Sequence, residues 1–185
     1  MKFLYMSYPD INNGIGLRVT LWLSGCSHHC YNCQNPQTWD YNAGRTFEEK
    51  DRKRLFNILK KDYIDGITFS GGDPLYDFNV AGMLRLVSDI KQTFPTKTIW
   101  LYTGFTWEQI FSTDFSGENR FSKSSKSLTN TFRQEIIKMC DVIIDGEYVN
   151  NLRDVSLPWR GSKNQRVIDV QASIKSNKVI SVECD

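Results

Sequence analysis

Short apolar runs recur along the chain, separated by segments of helix length. The strongest is at residues 19–23 (VTLWL), followed by 66–69 (GITF), 98–102 (TIWLY) and 142–144 (VII). Their length and their β-branched and aromatic content predict strands. The segments between them repeat apolar residues at helical spacing. In 46–61, Leu55, Ile58 and Leu59 share one face, with Thr46 the expected N-cap and Glu49 the capping-box acid. In 79–94 the buried stripe is Met83, Leu84, Leu86, Val87 and Ile90. Shorter helices are expected at 106–110 and 131–140. Residues 2–8 read as a short edge strand, and 166–170 (RVIDV) and 178–182 as two more strands. Residues 10–16 (DINNGIG) carry the glycines and asparagines of a turn, and the plain reading is a hairpin connection.

Strands alternating with helices favour parallel β-α units. A chain of 185 residues is short for eight such units. The expected fold is therefore α/β, an open or partial β-α barrel with a mostly parallel sheet, in a single domain over 1–185. A serine-rich stretch with few apolar residues makes 112–130 a candidate flexible insertion. The loops after the strands hold the unusual residues: 25–33, 70–74 (SGGDP), Thr103 and Gly104, then Asp145 and Gly146. In parallel sheets the C-terminal strand ends form the ligand face.

Composition narrows the function. A net charge of +2 leaves no basic excess for nucleic acid, so no nucleic-acid partner is expected. No apolar stretch reaches the length of a membrane span, and the first residues lack the apolar core and small-residue cleavage site of a secretory signal. The five cysteines are odd in number and clustered, which argues against a disulfide framework and for a reducing, cytoplasmic setting.

Three of the cysteines, Cys26, Cys30 and Cys33, lie within CSHHCYNC, directly after the first strong strand. Three close thiolates bind soft metals. Structural zinc usually takes four ligands, and Cys140, Cys184, His28 or His29 could supply the fourth. An iron–sulfur cluster held by three cysteines would instead leave one iron open to a small chelating molecule. Both readings stand on the residues alone, with a redox thiol loop behind them. In SGGDP, Gly71 and Gly72 would permit close approach, and Asp73 could accept from an ammonium group. The same residues also make an ordinary tight turn.

The three–two spacing of the cysteines resembles that of the radical S-adenosylmethionine superfamily. Further segments are similar to the family of activating proteins of anaerobic ribonucleoside-triphosphate reductase. They are GIGLR at 14–18, SGCSHHCYNCQNPQTW at 24–39, TFSGGDPL at 68–75, YTGFTWEQ at 102–109, DVIIDGEY at 141–148 and WRGSKNQRVIDV at 159–170. The resemblance implies that Cys26, Cys30 and Cys33 ligate one [4Fe-4S] cluster. S-adenosyl-L-methionine (SAM) would bind the remaining iron through its amine and carboxylate. One-electron reduction of the sulfonium would give methionine and a 5'-deoxyadenosyl radical, which takes a hydrogen from a glycine of the reductase's large subunit. Gly71, Gly72 and Asp73 would lie at the SAM amino group, with Tyr102, Thr103 and Gly104 on the next ligand-facing loop. Asp145 would face the ligand or organise its loop. Arg160 and Asn164 would contact the SAM carboxylate or the partner. No conventional catalytic acid or base is implied. The family also implies a small electron-donor protein such as flavodoxin.

The sequence departs from the wider superfamily at Asn32, where many members have an aromatic residue before the third cysteine, and at Asn13 and Ile15, where related activators often have aspartate and proline. Solvent exposure is the simple expectation for His28 and His29. The alternatives are an activase of another glycyl-radical enzyme and a zinc-binding protein-interaction module.

Overall fold

The computed structural model describes residues 1–111 and 120–182. The chain begins with β1 (Lys2–Asp10), β2 (Arg18–Leu23) and the two-residue β3 (Arg45–Thr46). Helix α1 (Glu49–Leu59) leads to β4 (Gly66–Gly71), α2 (Val80–Thr93) and β5 (Thr98–Tyr102). Then come α3 (Trp107–Phe111), α4 (Arg120–Met139) and β6 (Val142–Asp145). The described chain closes with β7 (Arg166–Asp169), α5 (Val170–Ser176) and β8 (Ile180–Ser181).

These strands form one sheet in the order β3-β1-β2-β4-β5-β6-β7-β8. The four central strands, β2, β4, β5 and β6, run parallel. Both flanks are antiparallel. The expected α/β architecture is therefore present as an open sheet, with the β-α-β units confined to its middle.

Alternation along the central strands sorts side chains to two faces. Val19, Leu21 and Leu23 of β2, Ile67 and Phe69 of β4, and Ile99 and Leu101 of β5 pack into one apolar core with the inner faces of α1 and α2. Ile136 and Ile137 of α4 join them. Met83, Leu86, Val87 and Ile90 are buried there, as their spacing predicts, while Leu84 of the expected stripe is only partly buried. The opposite face is polar at its centre, where Arg18 of β2 binds Thr68 of β4 and Thr98 of β5. It becomes apolar only toward β6, with Trp100, Val142, Ile144 and Val167. A sheet covered by helices on one side and polar at the centre of the other leaves a natural site on the helix-free side.

Several expectations change. Strand β1 is not an edge strand, because Arg45 and Thr46 pair with Lys2 and Phe3 on its outer side. That pairing extends the backbone through Thr46, so α1 starts later, with Glu48 as N-cap and Asp51 completing the capping box. Glu49 lies in the first turn instead of closing the box. Within 112–130, residues 120–130 form the first half of α4, which also lengthens the helix expected at 131–140; residues 112–119 lie outside the described residues. The 10–16 stretch does connect the antiparallel pair β1 and β2. No helix among the described residues is long and apolar enough to cross a membrane.

Candidate functional site

Register fixes where the site must be. Leu23 pairs with Gly71, Phe69 with Leu101, and Tyr102 with Ile144. The C-terminal ends of the four parallel strands therefore align, and the loops leaving them meet along one rim. They border a cavity of about 390 Å³ lined by Cys26, Cys30, Cys33, Asp73, Tyr102, Thr103 and Arg160, among others.

The cysteine loop is stitched to its neighbour by backbone bonds. Gly72 N–H donates to Leu23 O at 2.9 Å and Asp73 N–H to Gly25 O at 2.8 Å. This approach requires glycine. Gly71 has φ of +103°, and a Cβ there would lie 2.5 Å from Leu23 O. A Cβ on Gly72 would lie 2.4 Å from Gly25 O. The Gly-Gly pair of SGGDP thus has a demonstrable steric function in joining two loops.

Each of the three loop thiols lines the cavity. Cys33 accepts from Asn35 N–H at 3.3 Å. Burial pushes the Cys26 thiol up to about 11, and the neighbouring Asp73 charge adds to the rise. Burial likewise raises Cys30. A coordinating cation reverses that preference by stabilising thiolate. Cys140 is different: it is fully buried in the helix-side core and donates to Ile136 O. Cys184 lies outside the described residues.

Asp73 is buried and heavily engaged. One carboxylate oxygen accepts from Leu75 N–H at 2.8 Å. The other accepts from Thr103 Oγ1 and Gly104 N–H, both at 3.0 Å, and faces His28 Nε2 at 2.9 Å. The second ring nitrogen of His28 faces Glu147 Oε1 at 2.9 Å. The His28 side chain is only 9% exposed, which corrects the expectation of a solvated histidine. Burial alone would lower its pKa, but the two carboxylates outweigh burial and raise it. His29 is exposed, as expected, with its ring edge-on to Trp39.

The other anticipated residues divide into two groups. Gly71, Gly72, Asp73, Tyr102, Thr103 and Gly104 all border the cavity. Asp145 does not border it. Its buried carboxylate accepts from Trp107 N–H at 2.8 Å and pairs with Arg166, so it anchors the start of α3. Asn164 is spent on Glu147 O at 2.7 Å. Arg160 borders the cavity and donates through Nη1 to Gln165 O, while its buried Nε has no partner among the described residues. Glu147, Tyr148 and Trp159 also line the cavity. Sequence reasoning passed over them because none sits in a spacing that marks chemistry, although Glu147 and Tyr148 belong to the strand-end segment DGEY.

Comparison with known proteins bears directly on this cavity. Residues 12–168, which include the whole cysteine loop, match a family described as a 4Fe-4S single cluster domain. An anaerobic ribonucleoside-triphosphate reductase-activating protein of Enterobacteria phage T4 is 43% identical over 161 residues, covering 86% of this chain and 89% of that protein. The chain belongs to this family of activating proteins. The protein of the same name from Escherichia coli K12 is 37% identical over 163 residues, covering 86% of this chain and 94% of its own. That from Haemophilus influenzae is 35% identical over 167 residues, with coverage of 89% and 96%. Membership in the activating-protein family, with its 4Fe-4S domain, supports an iron–sulfur cofactor, and the donor set fits one. Three thiols lining one cavity are a donor set of the kind that suits such a cluster.

Proposed function

We propose that this chain reductively cleaves SAM at a [4Fe-4S] cluster and installs a glycyl radical on an anaerobic ribonucleoside-triphosphate reductase. One observation carries the reading: three thiols from one loop line a cavity that also holds both signs of charge. Among the described residues no three His, Cys, Asp or Glu side chains converge on a point suited to a single metal ion. The match to a 4Fe-4S single cluster domain favours a cluster over zinc.

Cys26, Cys30 and Cys33 would hold the cluster, leaving one of four irons without a protein sulfur. When bound and reduced, the cluster supplies one electron to the sulfonium of SAM, so that a carbon–sulfur bond breaks to methionine and a 5'-deoxyadenosyl radical that takes a hydrogen atom from a reductase glycine. The chain's residues have to bind and orient a methionyl zwitterion beside the thiols. Arg160, with its unpartnered Nε, suits the carboxylate. Asp73 and Glu147, which also line the cavity, carry the negative charge that suits the ammonium. The Asp73 carboxylate already accepts several bonds, so its contribution is its charge and its hold on the Thr103 loop; backbone carbonyls of the Gly71–Gly72 turn would take the ammonium protons. Tyr102, Thr103 and Gly104 shape the adjoining wall. Asp145 acts at one remove by fixing where α3 begins. No side chain needs to act as acid or base. The electron would come from a small donor protein such as flavodoxin.

The test combines anaerobically reconstituted protein, a reductant, SAM and the candidate reductase, and looks for a glycyl-radical resonance. The reading expects that resonance only when all components are present. A resonance formed with a different glycyl-radical enzyme but not with the reductase would overturn the choice of partner.

A further inference from the structure

Few backbone bonds hold the middle of the cysteine loop. Its N-terminal end is fixed by Cys26 N–H to Trp39 O, and Cys33 N–H closes a turn on Cys30 O. Between those points His29 and Asn32 adopt left-handed backbone, with φ of +48° and +56°. Such conformations are costly for residues other than glycine and persist when surrounding contacts impose them.

His28 supplies those contacts. Its ring faces Asp73 on the loop after β4 and Glu147 on the loop after β6, each at 2.9 Å. It also meets the Phe105 ring edge-on at 4.6 Å, on the loop after β5. Gly104 provides the room: a Cβ there would lie 2.4 Å from His28 Cδ2. One side chain, two residues from Cys26 and two from Cys30, therefore ties the loop to the ends of all three neighbouring parallel strands. We infer that His28 is the positioning residue that holds Cys26 and Cys30 at the spacing a cluster requires. It acts through the two cysteines that flank it. Partners that orient metal ligands typically change metal retention by about 10–100-fold.

This inference rests on the reading that the three cysteines hold an iron–sulfur cluster. The experiment measures chelator-driven iron loss from anaerobically reconstituted wild type, His28→Ala and Gly104→Ala, with the electron paramagnetic resonance (EPR) spectrum of each reduced protein. Gly104→Ala keeps the imidazole and displaces it, so it separates position from the mere presence of a histidine. Both variants should lose iron about tenfold faster than wild type and show an altered reduced-cluster spectrum. If His28→Ala fails to fold, Gly104→Ala decides alone. Wild-type rates and spectra in a folded variant would overturn the inference. Failure of wild type to take up any cluster would instead overturn the reading on which it rests.

Discussion

Cys140 and Cys30 are chemically the same side chain in opposite surroundings. Cys140 is enclosed by the helix-side core, where burial pushes its thiol far up. Cys30 opens on the cavity beside two other thiols. Iron and sulfide analysis after anaerobic reconstitution should therefore find wild-type content in Cys140→Ala and strongly reduced content in Cys30→Ser. Equal loss in both would break the assignment of ligands. Arg160 makes a separate prediction. A hydrogen bond to a charged group contributes about 1.5–3 kcal/mol, so Arg160→Met should weaken SAM binding by roughly tenfold or more at unchanged iron content. Equilibrium dialysis under anaerobic conditions would show this, and an unchanged dissociation constant would remove Arg160 from the site. The cysteines were legible because their spacing carries the chemistry. Arg18 was legible only as part of a motif. It is fully buried, bonds to Thr68, Thr98 and two more carbonyls, and lies under the Trp100 ring. Burial lowers its pKa to about 10, with Asp65 and Asp141 opposing the fall. Nothing in a one-dimensional sequence says that a strand's first residue will turn onto the helix-free face of the sheet and be buried there.

The elements depend on a few side chains that set their ends. Asp51 accepts from Glu48 N–H at 3.0 Å and pairs with Arg45 on β3, so a single carboxylate joins the start of α1 to the edge of the sheet. Arg45 holds its pKa below the usual carboxylate range, against the effect of burial. A depressed folded-state pKa adds stability above the unfolded value of about 3.9, and that stability is lost as pH falls through the folded value. Asp51→Asn should thus be less stable than wild type by about 1 kcal/mol at pH 7, with the gap narrowing near pH 3. Urea melts at the two pH values would measure it, and a gap that widened in acid would contradict this account. Helix α2 could be read from its apolar spacing because five positions of one face repeat. The start of α1 could not, since Thr46 is a good cap by residue type but is held extended by its pairing with Lys2. Tertiary pairing outranked local preference there, as it did for β1, whose outer partner is only two residues long.

At the scale of the molecule, asymmetry produces the site. Helices cover one face of the sheet, while the other keeps polar residues and an open cavity at the aligned ends of the parallel strands. The strand–helix alternation made the parallel centre legible, and the glycine-rich strand ends pointed to the ligand face. The antiparallel flanks were not legible, because strand direction at an edge depends on how a connection folds back and not on the strand's own residues. Bringing 24–34, 70–73, 102–104 and 146–148 together needs the register of four strands at once.

The central claim is that this cavity couples a three-cysteine cluster to SAM cleavage. The most direct measurement is the yield of 5'-deoxyadenosine and methionine from anaerobically reconstituted, reduced protein given SAM. The account predicts both products, in equal amounts, from wild type, with the yield abolished in Cys30→Ser. Wild-type protein that carries a full reduced cluster and yields neither product would contradict it.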